Sequence, residues 1–297
     1  AVTYKRLGVD FDKNYYESDT YLLGKKVVEI GLDKGVFYKK EDGSVWIDLS
    51  AEGLDEKIIL RSDGTAVYMT QDIGTAIQRI KDYPDVGGLV YTVGNEQDYH
   101  FQVLFLILKK LGFSWSKKLH HLSYGMVDLP SGKMKSREGT VVDADDLMAD
   151  MTQTAANISE ELGKLEEYNE EEKENIARIV GVAALKYADL MNHRIKDYVF
   201  DLDRFSSFEG RTGPYLLYTA VRIKSILRRA KDQGFRPGAI VSADSDIERD
   251  VGLKLSEFPA VLDIAFESRA PNHLCEYAFQ LATVYNRFYH GHHILTE

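Results

Sequence analysis

The sequence has a single cysteine and no long apolar run, and each scarcity excludes a class of protein. With Cys275 alone, the chain can form neither an internal disulfide nor a zinc site built from several cysteines. No apolar stretch approaches the roughly 18 residues that a membrane-spanning helix needs. Residues 1–6 also lack the apolar core of a signal peptide. We therefore expect a cytoplasmic protein that makes no contact with a membrane.

The charge balance is acidic. The chain of 297 residues carries a formal net charge of −10, and 44% of its residues are hydrophobic. This composition is typical of a globular chain of about two domains. The acidic surplus argues against binding nucleic acid over the whole surface, although a local basic face is enough for a specific site. The chain begins without methionine and ends at residues 294–297 without a clear stop, which we interpret as signs of a fragment.

A cationic loop follows Pro130. Gly132 and Gly139 enclose Lys133, Lys135 and Arg137, with almost no apolar side chain between them. Glycines at both ends and the lack of core residues predict a mobile loop. Several neighbouring cations suit a polyanion, above all phosphate, because their donors can follow charge as it moves between oxygens. On composition alone, a solvated surface turn remains the alternative.

Residues 87–126 follow the pattern of a strand, a helix and a second strand. The apolar run 87–93 predicts a central parallel strand, the spacing over 101–111 predicts a helix, and 120–126 predicts the next strand. This is the repeating unit of a doubly wound α/β sheet, in which ligands lie at the carboxyl ends of strands. The turn at Gly94 and the cationic loop both follow such ends. One glycine is too little for a dinucleotide-binding motif, so NAD is not expected.

The preceding segment mixes short strands and helices. Alternating side chains predict strands over 43–49 and 57–61, and helical spacing predicts a helix that ends near residue 34. A further helix carries Tyr68 and Asp72, which are four residues apart and therefore share one face. By pattern alone, an exposed aspartate beside a partly buried tyrosine is the simpler interpretation.

From Asp145 onward the pattern is helical. Residues 160–174 hold eight acidic side chains, which predict a solvated helix pair with a turn near residues 168–169; a functional acidic patch is the alternative. Later helices are predicted over about 248–269 and 271–290. Because no acidic partner is nearby, we interpret the histidines of residues 290–293 as a helix end and not as a metal site.

The helix after Pro214 is basic within an acidic chain. Tyr215, Tyr218 and Arg222 fall on one face, and six cations stand against one acid between residues 213 and 237. Aromatic rings that stack on bases, with cations on phosphates, are how proteins bind single-stranded RNA loops. Packing of the tyrosines in a helical core is the alternative. Tyr285 and Tyr289 share a face of the last helix; core packing is the expectation for them, and contact with RNA is the alternative.

Several of these segments resemble one enzyme family. Residues 133–137 (Lys-Met-Lys-Ser-Arg) resemble the KMSKS loop of class I aminoacyl-tRNA synthetases. Their flanks, residues 125–127 and 137–140, resemble the arginyl-tRNA synthetase version, as do residues 61–65 with Tyr68 and Asp72, and residues 94–100. The family's His-x-Gly-His signature does not precede residue 130. The resemblance therefore covers nearly the whole chain but only the distal half of the family's catalytic domain.

The resemblance implies a fold of α/β plus all-α class. It implies the distal half of a Rossmann-like catalytic domain over residues 1–145, a helical stem-contact region over 146–206, and an α-helical anticodon-binding bundle over 207–297. The implied activity is ATP-dependent ligation of L-arginine to tRNA(Arg) through an arginyl-adenylate, with Mg²⁺ carried by ATP and no protein-bound metal. A monomer is expected. Without the His-x-Gly-His half, we expect the chain alone to be inactive.

The resemblance also implies site residues. Arginine would be bound by Tyr68, Asp72 and Gln97. ATP would be bound by Gly94, His100, Met126, Val127 and Lys133. The catalytic loop would act through Lys133, Lys135, Ser136 and Arg137, and the anticodon loop would be bound by Tyr215, Tyr218 and Arg222.

The chemistry of an arginine ligand agrees with this set. A guanidinium is a planar, permanently charged fork of donors that a carboxylate accepts on two oxygens, so Asp72 would reject neutral amino acids. Ser136 departs from the motif, which has its second lysine there, and the substitute we expect is Lys135, Arg137 or a lysine elsewhere in the protein.

Two alternatives remain open. The first is another class I synthetase, such as a methionyl or cysteinyl enzyme, although one cysteine argues against the zinc chemistry that selects a thiol. The second is a tRNA-binding module without catalysis. A pure binding module would have no need of an amino-acid carboxylate such as Asp72 or of a cation such as Lys133.

Overall fold

The computed structural model describes residues 2–20, 23–130, 132, 142–161, 163, 165–236, 238–239 and 242–295. The chain divides into two compact units. Asp10–Tyr124 forms an α/β unit, and Ala1–Val9 with Gly125–Glu297 forms a helical unit. Among the described residues, no helix combines the length and apolarity that crossing a bilayer requires.

The elements are numbered along the chain. The helices are α1 (Val2–Leu7), α2 (Glu17–Thr20), α3 (Lys25–Asp33), α4 (Tyr68–Asp82), α5 (Asp98–Lys110), α6 (Ala144–Glu161), α7 (Glu170–Leu190), α8 (Leu202–Ser206), α9 (Gly213–Asp232), α10 (Asp246–Ser256), α11 (Phe258–Ser268) and α12 (Asn272–Gly291). The strands are β1 (Tyr38–Lys39), β2 (Val45–Ile47), β3 (Lys57–Leu60), β4 (Leu89–Gly94), β5 (Leu119–Tyr124), β6 (Val127–Asp128) and β7 (Tyr198–Val199).

The α/β unit holds the predicted strand–helix–strand motif. β4 and β5 pair in parallel over six residues each, from Leu89 opposite Leu119 to Gly94 opposite Tyr124, and α5 connects them. β1, β2 and β3 form a separate antiparallel sheet in that order. Fully buried aliphatic side chains of β2, β3, α4 and α5 form one core, among them Ile47, Ile59, Ile73, Leu104 and Ile107. The parallel motif and the strands β2 and β3 are therefore confirmed.

Two boundaries in this half differ from the prediction. The second parallel strand ends at Tyr124 and not at residue 126, because the backbone of Gly125 turns to donate a hydrogen bond to the carbonyl of Arg194 at 2.6 Å. A Cβ on Gly125 would come within 2.6 Å of the Lys196 carbonyl carbon, so this turn requires glycine. β4 alternates between half-buried and exposed side chains, with Val90 53% exposed, so this strand lacks the burial on both faces that is typical of a central parallel strand.

The helical unit is built around α6 and α7. Met151, Ala184, Ala188, Phe200 and Phe205 form its best-buried cluster. Asn169 caps the start of α7: its side chain accepts from the Glu172 backbone, and the Glu172 carboxylate accepts from the Asn169 backbone. The predicted turn near residues 168–169 is thereby confirmed.

One predicted helix is in fact two. Residues 248–269 were expected to form a single helix, but α10 ends at Ser256 and α11 begins at Phe258. Pro259 lies in the first turn of α11, where its missing N–H is tolerated. A continuous helix would need that N–H to bond to the turn before it, and the proline ring would clash there.

Candidate functional site

The packing of α4 leaves Tyr68 and Asp72 on its outward face. On the opposite face, the buried hydroxyl of Thr70 donates to the Ile59 carbonyl. A Cβ on Gly74 would lie 2.5 Å from the Gly24 backbone nitrogen. Helix α4 and the start of α3 can therefore approach this closely only because both contact positions are glycine. Tyr68 is 75% exposed, and the pattern-based interpretation of a partly buried tyrosine was wrong.

Asp72 makes one described side-chain contact, and it is to a histidine of the next helix. The Nε2 atom of His100, in the first turn of α5, lies 2.7 Å from Oδ2 of Asp72. The Asp72 side chain is 46% exposed and that of His100 is 25% exposed. The carboxylate thus has an oriented oxygen on one side and an accessible surface on the other.

A second histidine–carboxylate pair lies near the carboxyl end of β4, where the first turn of α5 also places His100. Nδ1 of His121 is 3.2 Å from Oδ1 of Asp98, and its Nε2 is 3.0 Å from the Val93 carbonyl. The imidazole stacks on Phe101 with ring centres 4.3 Å apart. This pair was not predicted from the sequence. The only indication in the sequence was indirect: parallel pairing of β4 with β5 brings a histidine of β5 near the start of α5.

The glycine turn places Gln97 and Gly94 beside these groups in the chain. β4 ends at buried Gly94, a single 3₁₀ turn follows over Asn95–Gln97, and exposed Gln97 precedes the first residue of α5. Gln97 therefore lies at the carboxyl end of a parallel strand, as predicted. This is the edge at which doubly wound sheets bind their ligands.

Arg79 shares the outward face of α4 with Asp72, but aromatic rings engage its charge. The guanidinium carbon lies 5.4 Å from the ring centre of Tyr15 and 5.5 Å from that of Tyr91. Burial raises the pKa of Tyr91, and the nearby Arg79 charge opposes that rise. Asp72 therefore remains the acidic group of this face, without a cation bonded to it among the described residues.

Asp82 anchors the first residues of the α/β unit to the end of α4. It accepts hydrogen bonds from Lys13, Tyr15 and Gln78. These donors lower the pKa of Asp82 to about 2. Because Tyr15 is also one of the two rings beside Arg79, this anchor fixes the surroundings of that cation.

Two further predicted ATP-binding residues, Met126 and Val127, belong to the helical unit. The backbone N–H of Met126 donates to Oδ1 of Asp197 at 2.7 Å. Val127 lies in β6, parallel to β7, where it is opposite Tyr198. The predicted catalytic residues Lys133, Lys135, Ser136 and Arg137 lie outside the described residues.

The face formed by α9 and α12 holds a closed cluster of rings and polar groups. The guanidinium of Arg222 lies between two tyrosine rings, 4.7 Å from the centre of Tyr218 and 4.4 Å from that of Tyr289. It also donates to Oδ1 of Asn286 at 2.6 Å. The Asn286 amide in turn donates to the Tyr215 hydroxyl at 3.0 Å and to the Thr219 hydroxyl at 3.0 Å.

The three predicted RNA-contacting residues therefore belong to one network. Tyr215 and Arg222 are half-buried in it, whereas Tyr218 is 37% exposed. Asn286 was missed, because one asparagine within a long helix carries no sequence signal of its own. Tyr289 had been assigned to core packing as the simpler alternative, and the structure places it against Arg222.

The histidine run ends α12, as predicted. The helix stops at Gly291, and the ring of His292 lies 3.1 Å from both the Ser245 hydroxyl and the Phe288 carbonyl. Within the described part of the chain, no three histidine, cysteine, aspartate or glutamate side chains are grouped closely enough to hold a metal ion.

Comparison with protein families matches most of the chain. A family described as "tRNA synthetases class I (R), catalytic domain" matches residues 3–202. A second family, described as "DALR anticodon binding domain", matches residues 216–297. Together they correspond to a partial class I catalytic domain followed by a helical domain.

Two bacterial relatives are named arginine–tRNA ligase. The chain is 59% identical to the arginine–tRNA ligase of Flavobacterium psychrophilum, over 100% of the chain and 49% of that protein. It is 54% identical to the arginine–tRNA ligase of Bacteroides fragilis, over 99% of the chain and 50% of that protein. The chain thus spans about half the length of the curated relatives it matches.

Solved structures agree in fold. The arginyl-tRNA synthetase of Thermus thermophilus superposes with a TM-score of 0.84 at 25% identity, over 99% of this chain and 54% of that one. A methionyl-tRNA synthetase of Mycobacterium tuberculosis superposes with a TM-score of 0.70 over 98% of this chain and 69% of that one. At 12% identity, the second likeness shows the fold alone.

Proposed function

This chain belongs to the class I arginyl-tRNA synthetase family, and on that premise we propose that the full-length protein ligates L-arginine to tRNA(Arg) through an arginyl-adenylate. The reaction consumes ATP, which brings Mg²⁺ as part of the substrate. The chain supplies the distal part of the catalytic domain and the helical anticodon-binding region. Taken by itself, it does not activate arginine, because its sequence lacks the His-x-Gly-His signature before residue 130.

One observation carries the proposal: a half-exposed carboxylate, Asp72, is held at the ligand-binding edge of the parallel strands. Among the described residues, no lysine or arginine is bonded to it, and its hydrogen-bond partner is His100. A guanidinium is the amino-acid side chain that a carboxylate binds best, through paired charge-assisted hydrogen bonds. Tyr68 and Gln97 supply a ring, a hydroxyl and an amide oxygen for the rest of the arginine side chain.

The reaction is an in-line displacement at phosphorus. An oxygen of the arginine carboxylate attacks the α-phosphate of ATP, an O–P bond forms, and pyrophosphate leaves with the electrons of the broken bond. The protein positions the two substrates and stabilises charge on the phosphate oxygens. We assign ATP contacts to Gly94, Met126, Val127 and Lys133, and charge stabilisation to Lys133, Lys135, Ser136 and Arg137. The resemblance also implies His100 for ATP, but the described side chain that it bonds is Asp72.

The tRNA is assigned to the helical part of the chain. Residues 146–206 contact the tRNA stem, and residues 207–297 contact the anticodon loop through Tyr215, Tyr218 and Arg222. The exposed Tyr218 ring, backed by the Arg222 guanidinium at 4.7 Å, supports this assignment because a cation beneath a ring holds it in a fixed orientation for stacking on a base. The protein acts as a monomer in the cytoplasm, where tRNA is charged.

The test is amino-acid-dependent exchange between ATP and pyrophosphate, catalysed by the full-length protein. We expect exchange with arginine and none with lysine or citrulline, and no exchange with the present chain alone. Exchange that depends on another amino acid would overturn the arginine assignment. Binding of tRNA without any exchange by the full-length protein would support the non-catalytic binding module instead.

A further inference from the structure

His100 contacts the carboxylate that we assign to arginine. Its Nε2 atom lies 2.7 Å from Oδ2 of Asp72. The two residues are 28 apart in sequence, and the contact joins α4 to α5. The resemblance assigned His100 to ATP, but Asp72 is the described side chain that it bonds.

The imidazole is itself held from behind. Its ring meets the ring of Phe101 edge-on, at 86° and with centres 5.7 Å apart. Phe101 is only 7% exposed and packs on Tyr91, with ring centres 5.0 Å apart. The core of the α/β unit therefore fixes the position of the imidazole. The imidazole in turn restrains the Asp72 carboxylate through one hydrogen bond.

A fixed carboxylate binds a planar ligand better than a mobile one. Asp72 lies in the second turn of a helix, with 46% of its side chain exposed, so solvent alone would leave its rotamer free. A carboxylate accepts about four hydrogen bonds. One bond from His100 to Oδ2 therefore leaves Oδ1, and a second site on Oδ2, for a guanidinium. Ordering the carboxylate in advance removes an entropy cost from ligand binding.

We propose that His100 is a positioning residue of the arginine subsite: it donates a hydrogen bond from Nε2 to Oδ2 of Asp72 and so orients that carboxylate toward the guanidinium of the substrate. The inference rests on the proposed arginine-activating function. It separates the roles of two neighbouring groups, since Asp72 touches the substrate and His100 acts through Asp72.

The experiment measures KM for arginine, KM for ATP and kcat in pyrophosphate exchange by the full-length protein. His100→Ala removes the donor, and we expect KM for arginine to rise about tenfold, the lower range for a hydrogen bond to a charged group. KM for ATP and kcat stay within about twofold, because the bond acts on Asp72 alone. His100→Gln keeps an N–H donor at a similar distance and restores most of the arginine affinity.

A matched control uses the second histidine–carboxylate pair. His121→Gln disturbs the same aromatic cluster, through the stack with Phe101, but His121 bonds Asp98 and not Asp72. It is expected to lower the melting temperature without changing the ratio of the two KM values. If His121→Gln raises KM for arginine as much as His100→Ala does, the effect is general loosening of the cluster and the proposal is wrong.

Other outcomes also overturn it. An unchanged KM for arginine in His100→Ala, or a rise confined to KM for ATP, would assign the imidazole to the nucleotide. Should His100→Ala fail to fold, His100→Gln and His100→Asn, which carry the amide donor at different distances from the backbone, provide the comparison. Equal KM values for arginine in those two variants would contradict a positioning bond. Failure of the proposed function is a separate result, because it appears as the absence of arginine-dependent exchange in the unaltered protein.

Discussion

The two candidate binding regions treat their charged side chains in opposite ways. In the α/β unit, Asp72 has one described partner and about half of its side chain exposed. In the helical unit, Arg222 is enclosed by two tyrosine rings and bonded to Asn286. The first arrangement leaves a charge available to a ligand. The second uses its charge to hold aromatic rings in place.

The difference predicts how each region depends on single residues. A small cation that meets one carboxylate depends on it strongly, because nothing else in the pocket carries the matching charge. An RNA loop meets several rings and phosphate-binding cations, so each one contributes a smaller share. We therefore expect a large loss of arginine activity when Asp72 is removed, and a smaller loss of tRNA affinity when Tyr218 is removed.

The largest effect is expected from Asp72→Ala in the full-length protein. Loss of the carboxylate leaves the guanidinium without its counter-charge, and we expect kcat/KM for arginine in pyrophosphate exchange to fall about a hundredfold. Asp85→Ala, which removes an exposed aspartate of the turn after α4, is the matched control and should have no effect. Unchanged arginine kinetics in Asp72→Ala would contradict the assignment of Asp72 to the arginine site.

A smaller effect is expected from Tyr218→Ala. Stacking on one base contributes about 1–3 kcal/mol, so the Kd for tRNA(Arg) transcripts should rise about tenfold. The measurement compares arginine acceptors with other tRNAs at two salt concentrations. Tyr16→Ala, which removes a 63% exposed tyrosine of the α/β unit just before α2, is the control. Equal, salt-sensitive binding of every tRNA, unaffected by Tyr218→Ala, would indicate general phosphate affinity only.

The smallest effect is expected from Asn286→Ala. The amide joins Arg222, Tyr215 and Thr219. Its removal should lower the free energy of unfolding by about 2 kcal/mol, the range for leaving partly buried polar groups unpaired. Denaturant unfolding measures the change. Asn157→Ala, at an exposed position on α6 with a single side-chain partner, should stay within about 0.5 kcal/mol. An unchanged stability would mean that the cluster on α9 and α12 does not order its rings.

How far the sequence could predict this molecule depended on the range of the interaction. The parallel strands and α5 were predictable, because apolar runs and helical spacing are local. The break between α10 and α11 is also local, because Pro259 in the first turn of α11 is visible in the sequence, although a single helix was predicted there. The contact between Asp72 and His100 was not predictable, since it depends on how α4 and α5 pack.

That packing depends on close approaches that no pattern reveals. Gly24 and Gly74 let α4 approach the start of α3 at backbone distance, and Thr70 bonds to the carbonyl of Ile59. Asn286 is a similar case, because its three partners come from a helix about 70 residues earlier. The resemblance to a family assigned the residues of both regions, but not the side chains that hold them in position.

Two separate binding regions can be tested in one experiment, by measuring KM for arginine and KM for tRNA(Arg) in aminoacylation by the full-length protein and its Asp72→Ala and Tyr218→Ala variants. We expect Asp72→Ala to raise KM for arginine about a hundredfold and to leave KM for tRNA within about twofold. We expect Tyr218→Ala to raise KM for tRNA about tenfold and to leave KM for arginine unchanged. Variants that raise both values alike would contradict the separation of an arginine pocket in the α/β unit from an RNA-binding face in the helical unit.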